Sequence, residues 1–353
     1  MTSYRIAAIP GDGIGPEVLG AGLRVLGIAA QAGSFNLDVT TLDWGSNYYK
    51  GHGRMMEEGA IESLRAFDAI YFGAIGSKDV PDHVTVWDLI LPIRQRLDQY
   101  VNLRPMRLLP GVRTPLSGRT PADIDMVCVR ENTEGEYSGA GGFVHRGLDT
   151  EMAQEVSTFT RFGIERVVRY AFDLAKRRPR KLLASATKSN ALKHSMVLWD
   201  EVVERVSKEY PEVTSRKYHV DALAARMVTH PETIDVIVAS NLFGDILTDL
   251  GGAISGSLGT APSGNIDPTR RSPSMFEPIH GSAPDIAGQG IANPIGAVWA
   301  GAMMLEHLGE TAAAAKVVGA IEAVTLEGRV RTPDLGGTAK TVDLTQALVE
   351  ALG

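Results

Sequence analysis

The sequence predicts an α/β protein built on a mixed, partly parallel sheet, and three features point to it. Short apolar runs rich in Ile, Val and aromatic residues alternate with longer segments of helical periodicity, the pattern of strands joined by covering helices. Gly and Pro fall at the junctions between these segments, and 44% hydrophobic residues in a chain of 353 suffice for a sizeable core and about two domains. The first turn, "IPGDGIGPEV", carries glycines after an apolar run without the geometry of a Rossmann fold. A Rossmann fingerprint puts a third glycine where this chain has Pro16, and Asp12 and Glu17 place carboxylates where a phosphate needs N–H donors and a positive helix end. The stretch therefore reads as a tight strand-to-helix turn, with Pro16 at the first helical position and Glu17 favourable in the first turn.

Candidate strands occupy 5–9, 37–44, 69–73, 125–130, 181–187 and 235–240. Candidate helices occupy 16–31, 88–100, 158–176, 190–208, 242–250, 294–308 and 312–322. Two segments dense in Pro and Gly, 104–122 and 251–278, read as crossings between domains.

Charge and composition exclude several classes of function. Thirty-five basic against forty-two acidic residues give a net charge of -7, which disfavours a nucleic-acid or anionic-membrane surface, so an anionic ligand would need locally clustered arginines. The single cysteine, Cys128, rules out an internal disulfide framework and lies in an apolar run that reads as packing. No signal peptide or membrane span is visible, so the expected setting is the cytoplasm.

Three groups of residues carry chemistry. In "VIVASNLFGDILTDLGG", Asn241 is placed to cap a helix that Gly251 and Gly252 would stop. On its wheel Leu242, Phe243, Ile246, Leu247 and Leu250 form the apolar arc, with Asp245 and Asp249 at the rim. Like charges four apart cost a few tenths of a kcal/mol, roughly, unless a cation lies between them, and hard divalent cations prefer such oxygen ligands. Asp221, in "YHVDALAAR", could complete the set, although a solvated acidic edge is an equally good account of the pair alone. The second group is Arg94, Arg104 and Arg130, each near a predicted element end, where guanidinium forks match carboxylates. The third is Tyr137 in "ENTEGEYSG" and Lys188 in "SATKSNAL", a phenol able to donate a proton and an amine able to accept one; spacing alone does not bring them together.

Taken in order, "GDGIGPEV", "NLRP", "RENTEGEYSG", "TKSN", "VDALAAR", "NLFGDILTDLGG" and "EPIHGSAPDIAGQGIANPIGAVWAGAMMLEHLG" resemble the β-decarboxylating hydroxyacid dehydrogenases, the family of isocitrate, 3-isopropylmalate, homoisocitrate, tartrate and D-malate dehydrogenases. The resemblance implies an isopropylmalate dehydrogenase-like two-domain α/β/α fold. Residues 1–103 and 260–353 would form a discontinuous NAD-binding domain, and 104–259 a central domain for substrate, metal and dimer contacts. It implies a homodimer with shared active sites. Carried over, Arg94, Arg104 and Arg130 hold the substrate carboxylate; Asp245 and Asp249, with Asp221 from the partner subunit, ligate Mg2+ or Mn2+. Lys188, also from the partner, takes the hydroxyl proton and Tyr137 protonates the product; a K+ requirement stays open. The adenosine half of the cofactor would lie along His280, Gly281, Ser282, Ala283, Pro284, Asp285 and Ile286 and at Asn293. Asp285 suits ribose hydroxyls and would repel a 2′-phosphate, which favours NAD.

The substrate's third carbon is expected to be sensed by Trp87, Ile90 and Leu91, just before Arg94. Asp88 and Ile90 would reject the extra carboxylate of isocitrate. Ile90 and Leu91 suit an isopropyl group, but Trp87 crowds that pocket. The segment, with "PDHVTVW" and "DQYVNLRP", is most similar to the tartrate and D-malate branch, which implies oxidative decarboxylation of D-malate (to pyruvate and CO2), of tartrate, or of both. 3-Isopropylmalate dehydrogenase is the alternative; a non-catalytic regulatory subunit of the same fold fits less well, because the Lys, Tyr and Asp set is complete.

Overall fold

The computed structural model describes residues 2–353. In chain order its strands are β1 (Thr2–Gly11), β2 (Phe35–Thr41), β3 (Ala69–Ala74), β4 (Val101–Arg107), β5 (Asp125–Glu131), β6 (Gly135–Val144), β7 (Met152–Thr158), β8 (Leu182–Thr187), β9 (Thr214–His219), β10 (Val236–Ala239), β11 (Pro262–Ile266) and β12 (Ser274–Pro278). Ten of them form one sheet in the order β2-β1-β3-β12-β11-β4-β5-β10-β8-β9, and β6 and β7 form a separate hairpin. Two parallel flanks, β2-β1-β3-β12 and β5-β10-β8-β9, are joined through an antiparallel centre in which β11 pairs with β12 and β4, and β4 with β5. The mixed α/β class read from the sequence is the class observed. The boundary expected at 103/104 falls inside β4, which pairs with β11 at 101–103 and with β5 along its whole length.

Helices Gly15–Gly33, Ile295–Leu308, Thr311–Glu327 and Thr341–Leu352 pack together over the β1 flank, and Arg161–Arg177 and Ser195–Ser207 cover the β5 flank. The Ile295–Leu308 helix is apolar all round, as its burial from Ile295 through Leu305 requires. Cys128 is fully buried, and burial pushes its thiol up to about 12, consistent with packing. No described helix is long and apolar enough to cross a membrane.

Several sequence expectations are corrected. The segment 251–278 contains β11 and β12, and 104–122 begins with the end of β4, so that Pro105, Pro262, Gly264 and Pro278 sit inside fully or partly buried strands, while 108–122 is loop. The helix expected to stop at Gly251 runs on to Ile254, because Gly251 and Gly252 lie against Met106 and Leu258, and this packing outweighs glycine's poor propensity. Asn241 is the first helical residue rather than the cap; Ser240 holds the cap position. Ile246, expected in the apolar arc, is 57% exposed, while Leu247 is buried. The helix expected over 88–100 begins as a π-helical turn, Val86–Ile90, before Leu91–Arg96.

The opening turn is a structural staple. Asp12 is buried, and its carboxylate accepts the Ser46 N–H at 2.8 Å, the Ser46 hydroxyl at 2.6 Å and the Gly76 N–H at 3.0 Å, tying together the loops after β1, β2 and β3. Gly13, at φ +58°, lets the backbone approach the 280s loop: a Cβ there would collide with the Ser282 carbonyl, which accepts the Ile14 N–H at 2.9 Å. Glu17 accepts the Ala292 N–H at 3.0 Å and the Thr341 hydroxyl. Replacing Asp12 with Ala strands two amide donors, so D12A should lower the unfolding free energy by about 2–3 kcal/mol in chemical denaturation; a loss below about 0.5 kcal/mol would show that water replaces the carboxylate.

Candidate active site

Arg130 lies near the end of β5 with 1% of its surface exposed. On β4 Arg104 stands opposite Cys128, two residues before Arg130, so the two guanidiniums share one face of the sheet. The Asn241–Ile254 helix covers that face and supplies their partners. Asp245 Oδ1 accepts from Arg130 Nη1 at 2.5 Å and from Arg104 Nη1 at 3.1 Å. Asn241 Oδ1 accepts from Arg130 Nε at 3.1 Å and Nη2 at 2.7 Å, and Thr248 Oγ1 accepts from Arg104 at 2.7 Å. The helix approaches this closely because residue 244 is glycine: a Cβ there would stand 2.6 Å from Arg130 Cβ and Cγ.

Arg94, buried at the end of its short helix, donates to Glu277 Oε1 on β12 at 2.7 Å. The Nε groups of Arg94 and Arg104 are buried without a protein partner, as in a site that a ligand completes. Tyr137 donates to Asp245 Oδ2 at 3.4 Å, and the Arg130 guanidinium lies 5.7 Å from the centre of its ring. Burial pushes the Asp245 carboxyl up, but Arg130, Arg104 and Arg94 together hold it below the ordinary carboxylate range. Burial, then Asp245, raises Asp249 and Tyr137 above their ordinary values. Glu131, next to Arg130, is pushed up to about 7 by burial, although it accepts the Thr133 and Glu134 N–H groups.

Asp245 and Asp249 reach the rim as expected, with side chains 37% and 63% exposed. Lys188 and Asp221 form a pair of their own at 2.5 Å beyond the ends of β8 and β9, and the lysine holds Asp221 below the ordinary carboxylate range. Among the described residues no hydrogen bond or ion pair links this pair to the arginine cluster, and no three His, Cys, Asp or Glu side chains converge. Of the segment before Arg94, Ile90 and Leu91 are buried, while Trp87 is 38% exposed with its ring against Gly139.

The 280s loop faces a second cleft, about 760 Å3, lined by 75–82 and 281–284. Gly281, Ser282, Ala283 and Pro284 line it directly. His280 Nδ1 lies 2.9 Å from the Gly281 carbonyl, which leaves Nε2 a buried acceptor with no protein partner. Burial pulls this imidazole below its ordinary value. Asp285 is exposed and Ile286 half-buried. Buried Asn293 donates to Asp334 at 2.9 Å.

A model of the isocitrate/isopropylmalate dehydrogenases matches residues 5–352. The chain belongs to this family. It is 58% identical over its whole length to a probable tartrate dehydrogenase/decarboxylase of Agrobacterium vitis, covering 98% of that protein, and 54% identical to the decarboxylating D-malate dehydrogenase of Escherichia coli, covering 99% of it. Among solved structures, the isocitrate dehydrogenase of Methylococcus capsulatus superposes with a TM-score of 0.88 at 37% identity over 99% of each chain. The chain is thus an enzyme of the isocitrate/isopropylmalate dehydrogenase family.

Several residues that hold these clusters escape a sequence reading. Glu277 is a buried acid inside the apolar strand "SMFEP", a placement that calls for a cationic partner and could have pointed to Arg94. Thr248 and Asp334 carry no comparable signal. For the helix contact, Gly244→Ala should cost about 1–3 kcal/mol in chemical denaturation and displace Arg130, lowering kcat/KM; an unchanged midpoint and kcat/KM would mean that the helix yields freely.

Proposed function

We propose that the chain catalyses the NAD-dependent, divalent-metal-dependent oxidative decarboxylation of a small 2-hydroxy diacid, D-malate, tartrate or both. The observation that carries the reading is the group of three buried arginines at this site: Arg104 and Arg130 meet at Asp245, Arg94 pairs with Glu277, and Arg94 and Arg104 keep buried Nε donors with no protein partner among the described residues, which a substrate carboxylate would satisfy. The names of the Agrobacterium and Escherichia relatives support the same branch.

The donor chemistry fits a divalent metal and a dinucleotide. Asp245 and Asp249, with Asp221 of a second copy, would hold Mg2+ or Mn2+. Gly281, Ser282, Ala283, Pro284 and Ile286 would line the dinucleotide site, with the free acceptor of His280, the unpaired carboxylate of Asp285 and Asn293 as its polar contacts. When bound, the metal would supply Lewis acidity and the dinucleotide a hydride acceptor. Arg94, Arg104 and Arg130 bind and orient the carboxylates, Lys188 accepts the C2 hydroxyl proton, and Tyr137 returns a proton to C3 after CO2 has left.

A homodimer completes the site. Lys188 and Asp221 stand apart from the arginines within one chain, and the β6–β7 hairpin exposes Phe143, Val144, Met152 and Val156, an apolar surface that a lone two-stranded hairpin leaves uncovered. This surface lies within residues 104–259, the proposed central domain. The exposed indole of Trp87 favours a substrate without an alkyl branch on C3, whereas Ile90 and Leu91 lie behind it in the core.

With NAD and Mn2+, purified protein should reduce NAD on D-malate or tartrate with kcat/KM at least about tenfold above that for 3-isopropylmalate. The reverse order would transfer the enzyme to the isopropylmalate branch, and no turnover of any of these acids would refute catalysis. Removing the metal with EDTA should abolish activity and Mn2+ restore it. Lys188→Ala should lower kcat by ~10²- to 10⁴-fold without changing the circular dichroism spectrum; retained activity would remove Lys188 from its role.

A further inference from the structure

The stretch that carries Tyr137 is not held by its own β-ladder. Gly135 pairs with Thr158 and Ala140 with Val156, so Glu136, Tyr137, Ser138 and Gly139 face the single residue Ser157. Such a bulge disrupts the ladder locally, and beyond it both strands are exposed. Side chains must therefore supply the position. Gln95 Nε2 donates to the Tyr137 carbonyl at 3.1 Å. The Glu136 carboxylate reaches the N-terminus of the Asn241–Ile254 helix, where Oε1 accepts the Ser240 hydroxyl at 2.7 Å and Oε2 accepts the Leu242 N–H at 3.0 Å. Ser240, at the cap position, makes no side-chain capping bond of its own. Glu136 thus provides from outside the helix the carboxylate that a first turn favours. One turn further along the same helix, Asp245 accepts the Tyr137 hydroxyl.

We propose that Glu136 is a positioning residue for proton donation by Tyr137: it fastens the bulge to the helix that carries Asp245 and so fixes where the phenol O–H is presented. The proposal rests on the function assigned above to Tyr137. The step it serves balances without a further reactant. When the C3 carboxylate leaves as CO2, the electrons of the broken bond form the C2–C3 double bond of an enolate; as C2 returns to a carbonyl, C3 takes the Tyr137 proton and the phenolate recovers one from solvent. Glu136 touches none of these atoms. Its effect is geometric, and a glutamine, which can accept the Leu242 N–H and donate to the Ser240 hydroxyl, should reproduce it.

Glu136→Ala should lower kcat on the preferred acid by about tenfold or more while leaving KM for acid and NAD within about twofold, the signature of a contact used after binding. The solvent deuterium isotope effect on kcat should rise as the final proton transfer becomes limiting. Glu136→Gln should recover most of kcat. Ser240→Ala, which removes one of the two contacts with almost no change of volume, should move kcat in the same direction by a smaller factor and serves if Glu136→Ala does not fold. Amide hydrogen exchange across Gly135–Val144 needs no substrate: it should quicken in Glu136→Ala and return to normal in Glu136→Gln. A lowered melting temperature with unchanged kcat, a loss confined to KM, or unchanged exchange across the bulge would each overturn the proposal. Absence of wild-type turnover would instead refute the functional reading, while exchange would still decide whether Glu136 holds the bulge.

Discussion

The register of the central antiparallel strands is the constraint on which the site depends. Asn102 stands opposite Arg130 on β5 and opposite Asn265 on β11, and Ser263 stands opposite Glu277 on β12. Directly opposed residues share a face, so Asn102, Arg104, Arg130, Asn265 and Glu277 all project from the same side of the sheet. A slip of one residue in β4 would turn Asn102 and Arg104 to the other side. With the register in place, two guanidiniums are buried side by side, and burial with the neighbouring Arg104 presses Arg130 below its ordinary value. The helix above must then bring a carboxylate. Asp245 supplies it, Asn241 satisfies the rest of the Arg130 fork, and Gly244 leaves the room to do both.

The cleft beside the 280s loop rests on a different use of acids. Asp12 and Glu17 count against a phosphate cradle, since a carboxylate in the first turn competes with an anion for the same N–H groups and dipole. The structure occupies both with backbone donors. Asp12 gathers the loops after three strands, and Glu17 holds Ala292 and Thr341. The glycine turn thereby braces both walls of the cleft, residues 75–82 through the Asp12 contact to Gly76 and the 280s loop through the Ile14 contact to Ser282, nearly the whole chain away in sequence.

What was legible in the sequence follows from this division. Strands with continuous apolar runs, such as β1, β3 and β10, announce themselves, because burial on both faces leaves no polar residue to interrupt them. The antiparallel centre does not. Its buried face is polar at Asn102, Arg104, Asn265 and Glu277, and β11 and β12 carry the Pro and Gly that otherwise mark turns. The β6–β7 hairpin is equally hidden, since its glycines and exposure remove both propensity and period. Arg94, Arg104, Arg130, Tyr137 and Asp245 could be named from motifs, and the structure brings Arg104, Arg130 and Tyr137 onto Asp245. Asn241 and Thr248 could not be named as their supports, because hydrogen bonds between residues more than a hundred positions apart leave no local pattern, and Glu277 left only the trace of an acid inside an apolar strand.

The same buried polar face explains how Arg94, on a helix rather than on the sheet, is kept in step with the other two arginines. Its partner Glu277 also accepts from Asn265 Nδ2 at 2.7 Å. Asn265 Oδ1 in turn accepts from Asn102 at 2.9 Å and from Asn132 at 3.0 Å. Three amides, from β4, β11 and the turn after β5, thus meet at one point where the two parallel flanks join. A fully apolar centre would pack at least as stably but would tolerate slippage, whereas each of these buried amides loses its partners if any strand shifts. The polar junction therefore sets the register that aims Arg104 and Arg130 and, through Glu277, the position of Arg94, so that one set of contacts aligns all three cations.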